Sequence, residues 1–119
     1  MSIPIRLFSY ELASASTDAT VATLLYTAPT TGNVMVTGLW LAPSQGGTAN
    51  YWRLHHVGEG DAPGRSNMLI YANCSERSGL IDSFHPVKIV LGPAENLYGH
   101  LNSGNGVTLT AYGLVPRNA

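Results

Sequence analysis

A chain of 119 residues is one domain with room for a single hydrophobic core and too little for two. Hydrophobic residues supply 45% of it and charged residues only 11%, so much of the surface is expected to lie against other chains. Six Lys and Arg against seven Asp and Glu leave a formal net charge of −1, which excludes the basic footprint of a nucleic-acid binder.

The first apolar run is Ile3–Leu12. Ile3, Ile5 and Leu7 share one side-chain phase, and Phe8, Tyr10 and Leu12 take the other, which predicts a bend or bulge. The small polar stretch ASASTDAT follows at 13–20, so residues 1–20 read as an extended arm with its linker and 21–119 as one β-domain. Two readings of the arm stand. It is an ordinary edge strand of its own sandwich, or it lies across a neighbour, with Ile3, Ile5, Leu7, Phe8 and Tyr10 filling pockets and Arg6 adding a polar contact at the rim. The same N-terminus lacks the basic start and long apolar run of a secretory signal, and no run reaches the ~20 apolar residues of a membrane span. Synthesis in a cytoplasm is therefore expected.

Val21–Thr27 is the next strand, followed by a turn containing Pro29, Gly32 and Asn33. In Val34–Ala42, strict alternation puts Val34, Val36 and Trp40 on one face and Met35, Leu39 and Leu41 on the other. Both faces are apolar, so one belongs to the core and the other, Met35, Leu39 and Leu41, to a subunit contact. Asn50–Val57 places Tyr51, Arg53 and His55 on an outer face opposite Trp52 and Leu54. Asn67–Asn73, Val87–Leu91 and Asn96–Asn102 are further short strands. The clearest alternation closes the series in Val107–Val115, where Val107, Leu109, Ala111, Gly113 and Val115 oppose Thr108, Thr110 and Tyr112. No run shows helical spacing. The pattern predicts an all-β fold, an antiparallel sandwich of about eight strands of jelly-roll type.

Catalytic patterns are weak. Four histidines (His55, His56, His85, His100) suggest a metal, but His55 and His56 are adjacent, and adjacent side chains on a strand point to opposite faces. A cupin-like reading would need one of them with His100. Ser78, Ser83, Asp82 and His85 lack the strand–turn–helix setting of a hydrolase nucleophile. The lone Cys74 excludes a disulfide framework and reads as a small buried hydrophobe. Glu59 and Asp61 in GEGDAPG supply too few oxygens for calcium, and that loop matches no phosphate cradle. Tyr51, Arg53 and His55, with Tyr98, could stack on a sugar, whereas a subunit contact through aromatic and Arg anchors is the simpler use of the same residues. No enzyme, cofactor or metal is expected.

At Leu24–Leu41 the segment LLYTAPTTGNVMVTGLWL resembles the opening of small β-sandwich virion proteins of tailed bacteriophages, with Tyr26, Thr27 and Pro29 matching its front and Val36 and Leu39 its back. MLIY at 68–71, VKIVLGPAENLY at 87–98 and VTLTAYG at 107–113 resemble later strands of that family, so the likeness covers roughly residues 23–113. The loop APSQGGTAN at 42–50 and the long stretch 75–86 depart from it. The resemblance implies a capsid decoration (cement) subunit, or else a tail or head–tail accessory subunit, in the form of a jelly roll that assembles as a homotrimer. Its partners would be itself and the major capsid protein or another virion protein, with no nucleic acid and no membrane. A carbohydrate-binding module of a phage fibre is the alternative of a different class.

Overall fold

Alternating apolar residues dominate the chain, and they form eight strands in the computed structural model, which describes residues 3–13, 22–43, 51–73, 83–102, 104 and 106–116. These are β1 (Ile5–Glu11), β2 (Thr23–Thr27), β3 (Val34–Pro43), β4 (Tyr51–Val57), β5 (Met68–Asn73), β6 (Ser83–Leu91), β7 (Asn96–Leu101) and β8 (Val107–Leu114). A 3₁₀ turn, Arg65–Asn67, leads into β5. The strands make two four-stranded sheets, ordered β1-β8-β3-β6 and β2-β7-β4-β5. Every pairing is antiparallel. First pairs with last, second with next-to-last, and so inward to β4 with β5, which is a long hairpin rolled over on itself. That nesting is the jelly roll.

The core lies between the sheets. Val34, Val36, Leu39 and Leu41 of β3 and Val107, Leu109 and Ala111 of β8 meet Trp52 and Leu54 of β4 and Leu97 and Leu101 of β7. Trp52 also meets the His85 ring across the sandwich at 5.8 Å. Along the open side, Phe8 of β1 and Tyr26 of β2 stack at 5.9 Å and join the two sheets.

Strict alternation fails inside β3, and the failure corrects the sequence reading of its faces. Register slips between Val36 and Gly38: β3 advances two residues while β8 advances one, so Thr37 is the extra residue of a β-bulge against β8, and β6 advances three residues, from Ile89 to Pro86, over the same step. Beyond the bulge the phase reverses. Leu39 and Leu41 therefore face the core, 0% and 2% exposed, and Trp40 faces outward. Of the three residues expected to meet a subunit, only Met35 points away from the core.

Two further differences have local causes. The segment expected to reach out as an arm pairs, over Ile5–Glu11, with β8 of its own sheet, and Leu12 is buried in the core. Its phase change is the bulge at Arg6/Phe8, which lets Leu7 and Phe8 pack on the core while Ile3, Ile5 and Tyr10 stay exposed. β6 begins at Ser83, four residues before Val87, and runs through Pro86. It is an edge strand, where a residue without an N–H is tolerated. Elsewhere Gly113 is required by close approach: a Cβ there would run into the Met35 carbonyl oxygen and the Leu7 side chain.

The two phases of β3 are separable by mutation. Leu39→Ala empties a fully buried site and is expected to cost about 2–5 kcal/mol, whereas Met35→Ala should cost less than about 1 kcal/mol. Urea unfolding of the two variants checks this, and equal costs would contradict the bulge.

Candidate protein–protein interface

The outward face of the β1-β8-β3-β6 sheet is built in rows that the strand register fixes. One row runs Ser9–Thr110–Trp40–Phe84. The next is Arg6–Tyr112–Gly38–Pro86, and the last is Leu114–Met35–Val90. On the other side of the Trp40 row lie Glu11, Thr108 and Ala42. Phe84 (51% exposed), Trp40, Tyr112 and Val90 are all exposed large hydrophobics. The Trp40 and Phe84 rings are 6.0 Å apart. The Phe84 ring lies directly over Gly38, where a Cβ would come within 2.6 Å of it. Aromatic rings at the centre with threonines and a few charges at the rim match the anatomy of a protein contact.

The outward face of the other sheet is more polar. Tyr51 and Tyr71 are both exposed and tilt together at 5.3 Å. The Arg53 guanidinium sits 4.5 Å above the Tyr71 ring. His55 shares this face as the alternation predicts, yet it is 0% exposed, which removes it from any platform. The loop after β4 folds back over it and supplies acceptors. The Asn67 carboxamide donates from Nδ2 to the Ala62 carbonyl (2.9 Å) and accepts the Gly64 N–H on Oδ1 (2.9 Å). That orientation turns an acceptor toward His55, whose Nδ1 donates to Asn67 Oδ1 and to the Gly64 carbonyl, both at 3.1 Å.

His55 lies nearly parallel to the equally buried His100, ring centroids 6.1 Å apart. Its Nε2 and both His100 nitrogens have no hydrogen-bond partner among the described residues. Burial first, then the Arg53 guanidinium and the neighbouring His55, push the His100 imidazole below its ordinary value. Two imidazoles, one with a nitrogen already committed, are half of a tetrahedral zinc set. No group of three or more ligating side chains occurs among the described residues. His56 points elsewhere, to Glu95 Oε1 at 2.9 Å, and together with the Gly92 N–H this bond holds the Glu95 carboxyl below its usual range.

The sequence candidates thus separate. Met35, Tyr51 and Arg53 stand on outer faces, Ile3, Ile5, Arg6 and Tyr10 lie exposed along the β1 edge, and Leu39, Leu41 and His55 are interior. Cys74, Ser78 and Asp82 lie outside the described residues, as do the linker at 14–20 and the loop at 44–50. Trp40 and Phe84 are the members of the outer face that pattern reading missed. Gly38 in mid-strand was the available sign of a bulge, and His85-Pro86 concealed the start of β6. No helix among the described residues is long and apolar enough to cross a membrane.

No family model matches the chain, and neither does any curated protein. Solved structures similar to it include the infectious bursal disease virus VP2 subviral particle, at 12% identity and a TM-score of 0.35, covering 94% of this chain and 32% of that one. The structure of the Gx strain of infectious bursal disease virus matches at 16% identity and a TM-score of 0.31, covering 98% of this chain and 37% of that one. This chain spans about a third of the length of either.

Buried His100 gives the fold an acid dependence. His100 binds its proton less readily folded than unfolded, so the unfolded chain takes up more protons as pH falls below about 6.5. Stability should be fully present above that pH and decline as pH drops toward the depressed folded value. Thermal melts between pH 8 and 5 check it, and His100→Leu should flatten the slope in that window.

Proposed function

We propose that this chain is a non-enzymatic structural subunit of a tailed-phage virion, stabilising the particle by protein–protein contact. The observation that carries the reading is an outer sheet face of exposed aromatic and aliphatic side chains on a rigid jelly roll with very little charge. The likeness of residues 23–113 to small phage virion proteins supports it. The subunit assembles with itself, as a trimer on the count the resemblance implies, and docks on the major capsid protein or another virion protein. A capsid decoration role is favoured over a tail or head–tail role. The chain is made in the host cytoplasm and ends in the particle.

Docking on the capsid would use the β1 edge, where Ile3 (79% exposed), Ile5 and Tyr10 are presented while Leu7, Phe8 and Leu12 anchor the strand to its own core. Removing the whole segment would take an edge strand and a core leucine with it, so point substitutions are the informative change. Ile3→Ser with Ile5→Ser should leave the melt unchanged and weaken particle association by roughly tenfold or more. Particles lacking the protein should release genome at lower temperature. Unaltered shell stability would move the role to the tail.

The Tyr51–Tyr71 pair with Arg53 over one ring favours a second reading, a carbohydrate-binding module of a fibre. A glycan array separates the two: saturable binding that is lost in Tyr71→Ala supports the module.

A further inference from the structure

We infer that the outer face of the β1-β8-β3-β6 sheet is a two-fold contact that takes the same face of a second copy, with its axis along the Ser9–Thr110–Trp40–Phe84 row. The inference names the surface for the self-association proposed above and rests on that part of the reading.

Size is the first argument. Four strands about 4.8 Å apart, crossed by a ten-residue strand about 33 Å long, give a face of roughly 600 Å², close to the ~800 Å² per partner of a standard interface. β3 is that ten-residue strand, and it runs through the middle of the sheet.

Charge placement is the second. Two charged side chains of β1 share this face: Arg6, level with Tyr112, and Glu11, level with Thr108. Thr110 lies midway between those two levels, so Arg6 and Glu11 flank the Trp40 row symmetrically. Both are exposed, and neither has an ion-pair partner among the described residues. Turning one sheet over onto another about an axis perpendicular to the strands keeps β1 above β1 and reverses its direction. About the Trp40 row, that operation lays Arg6 over Glu11 of the second copy and Glu11 over its Arg6. The same rotation sets Trp40 and Phe84 against their own counterparts at the centre, and Tyr112 against Thr108 at both sides. Ala42 meets Gly38, the position the Phe84 ring covers. The result is isologous: a closed aromatic centre with two identical ion pairs at one margin. An axis along the strands would instead place β1 over β6, whose Lys88 stands nearer the level of Arg6 than that of Glu11.

A two-fold contact pairs monomers into dimers, or trimers into pairs of trimers, so the assembled mass is an even multiple of the chain. Charge reversal tests the register, using sedimentation of the full chain at micromolar concentration. Arg6→Glu should set like charges together at both symmetric places and raise the dissociation constant about tenfold. Glu11→Arg should do the same, and the double exchange should restore wild-type assembly. All three changes fall on exposed positions, and circular dichroism confirms the fold. Phe84→Asp should halve the assembled mass outright. A double exchange as weak as the single ones, an unchanged mass for Phe84→Asp, or a wild-type chain that stays monomeric would each overturn the contact. Failure of particle docking with the even-numbered assembly intact would sink the virion reading and leave this contact standing.

Discussion

The one-residue bulge at Thr37 is the constraint from which the rest of the molecule takes its faces. β3 lies between β8 and β6, and its register slips against both at the same place. Without the extra residue, Val34 and Val36 would share a face with Trp40, and burying all three would expel Leu39 and Leu41. With it, four aliphatic side chains fill one side of the strand, and each contributes about 1.5–3 kcal/mol of burial. Trp40 is left outside as a consequence of that arrangement. Gly38, the residue next to the bulge, makes room for the Phe84 ring, so the outer surface is shaped beside the residue that corrects the inner one.

The second sheet handles a different conflict. Tyr51, Arg53, His55 and His100 alternate away from the core, yet the two imidazoles are sealed off. One is reconciled through the Asn67 carboxamide and the Gly64 carbonyl. The other carries two buried nitrogens with no partner among the described residues, and such groups cost about 1–3 kcal/mol each. The imidazole stays neutral because that is the cheaper of two unfavourable states, which ties this face to proton concentration.

Much of this was legible in the residues. Turn residues at even spacing and the alternation of Val107, Leu109 and Ala111 against Thr108, Thr110 and Tyr112 were enough to read a sandwich of eight strands, and the phase change in Ile3–Leu12 marked a real bulge. Side-chain exposure was less legible, because it depends on what passes over a strand as well as on which way the strand turns. His55 lies on the expected face and is hidden by a loop that no period announces. Leu39 and Leu41 were misplaced by one silent insertion, and Phe84 was lost because a proline ordinarily ends a strand. In each case a local rule gave way to a tertiary circumstance: an edge position, a bulge, or a covering loop.

The nested order of strands also sets a timetable. Among the described strands β8 comes last in sequence, yet it stands second in its sheet, between β1 and β3. Ser9 and Thr110, hydrogen-bonded at 2.9 Å, are 101 positions apart. On a ribosome adding about 5–20 residues per second, β1 waits several seconds for its neighbour. During that interval Ile5, Phe8 and Tyr10 have no sheet to join, and closing so long a loop is itself slow. Chaperone capture of the nascent segment, or pairing between chains on one messenger, would compete with correct closure. Correct closure then waits on synthesis of β8, the eight-residue partner of β1.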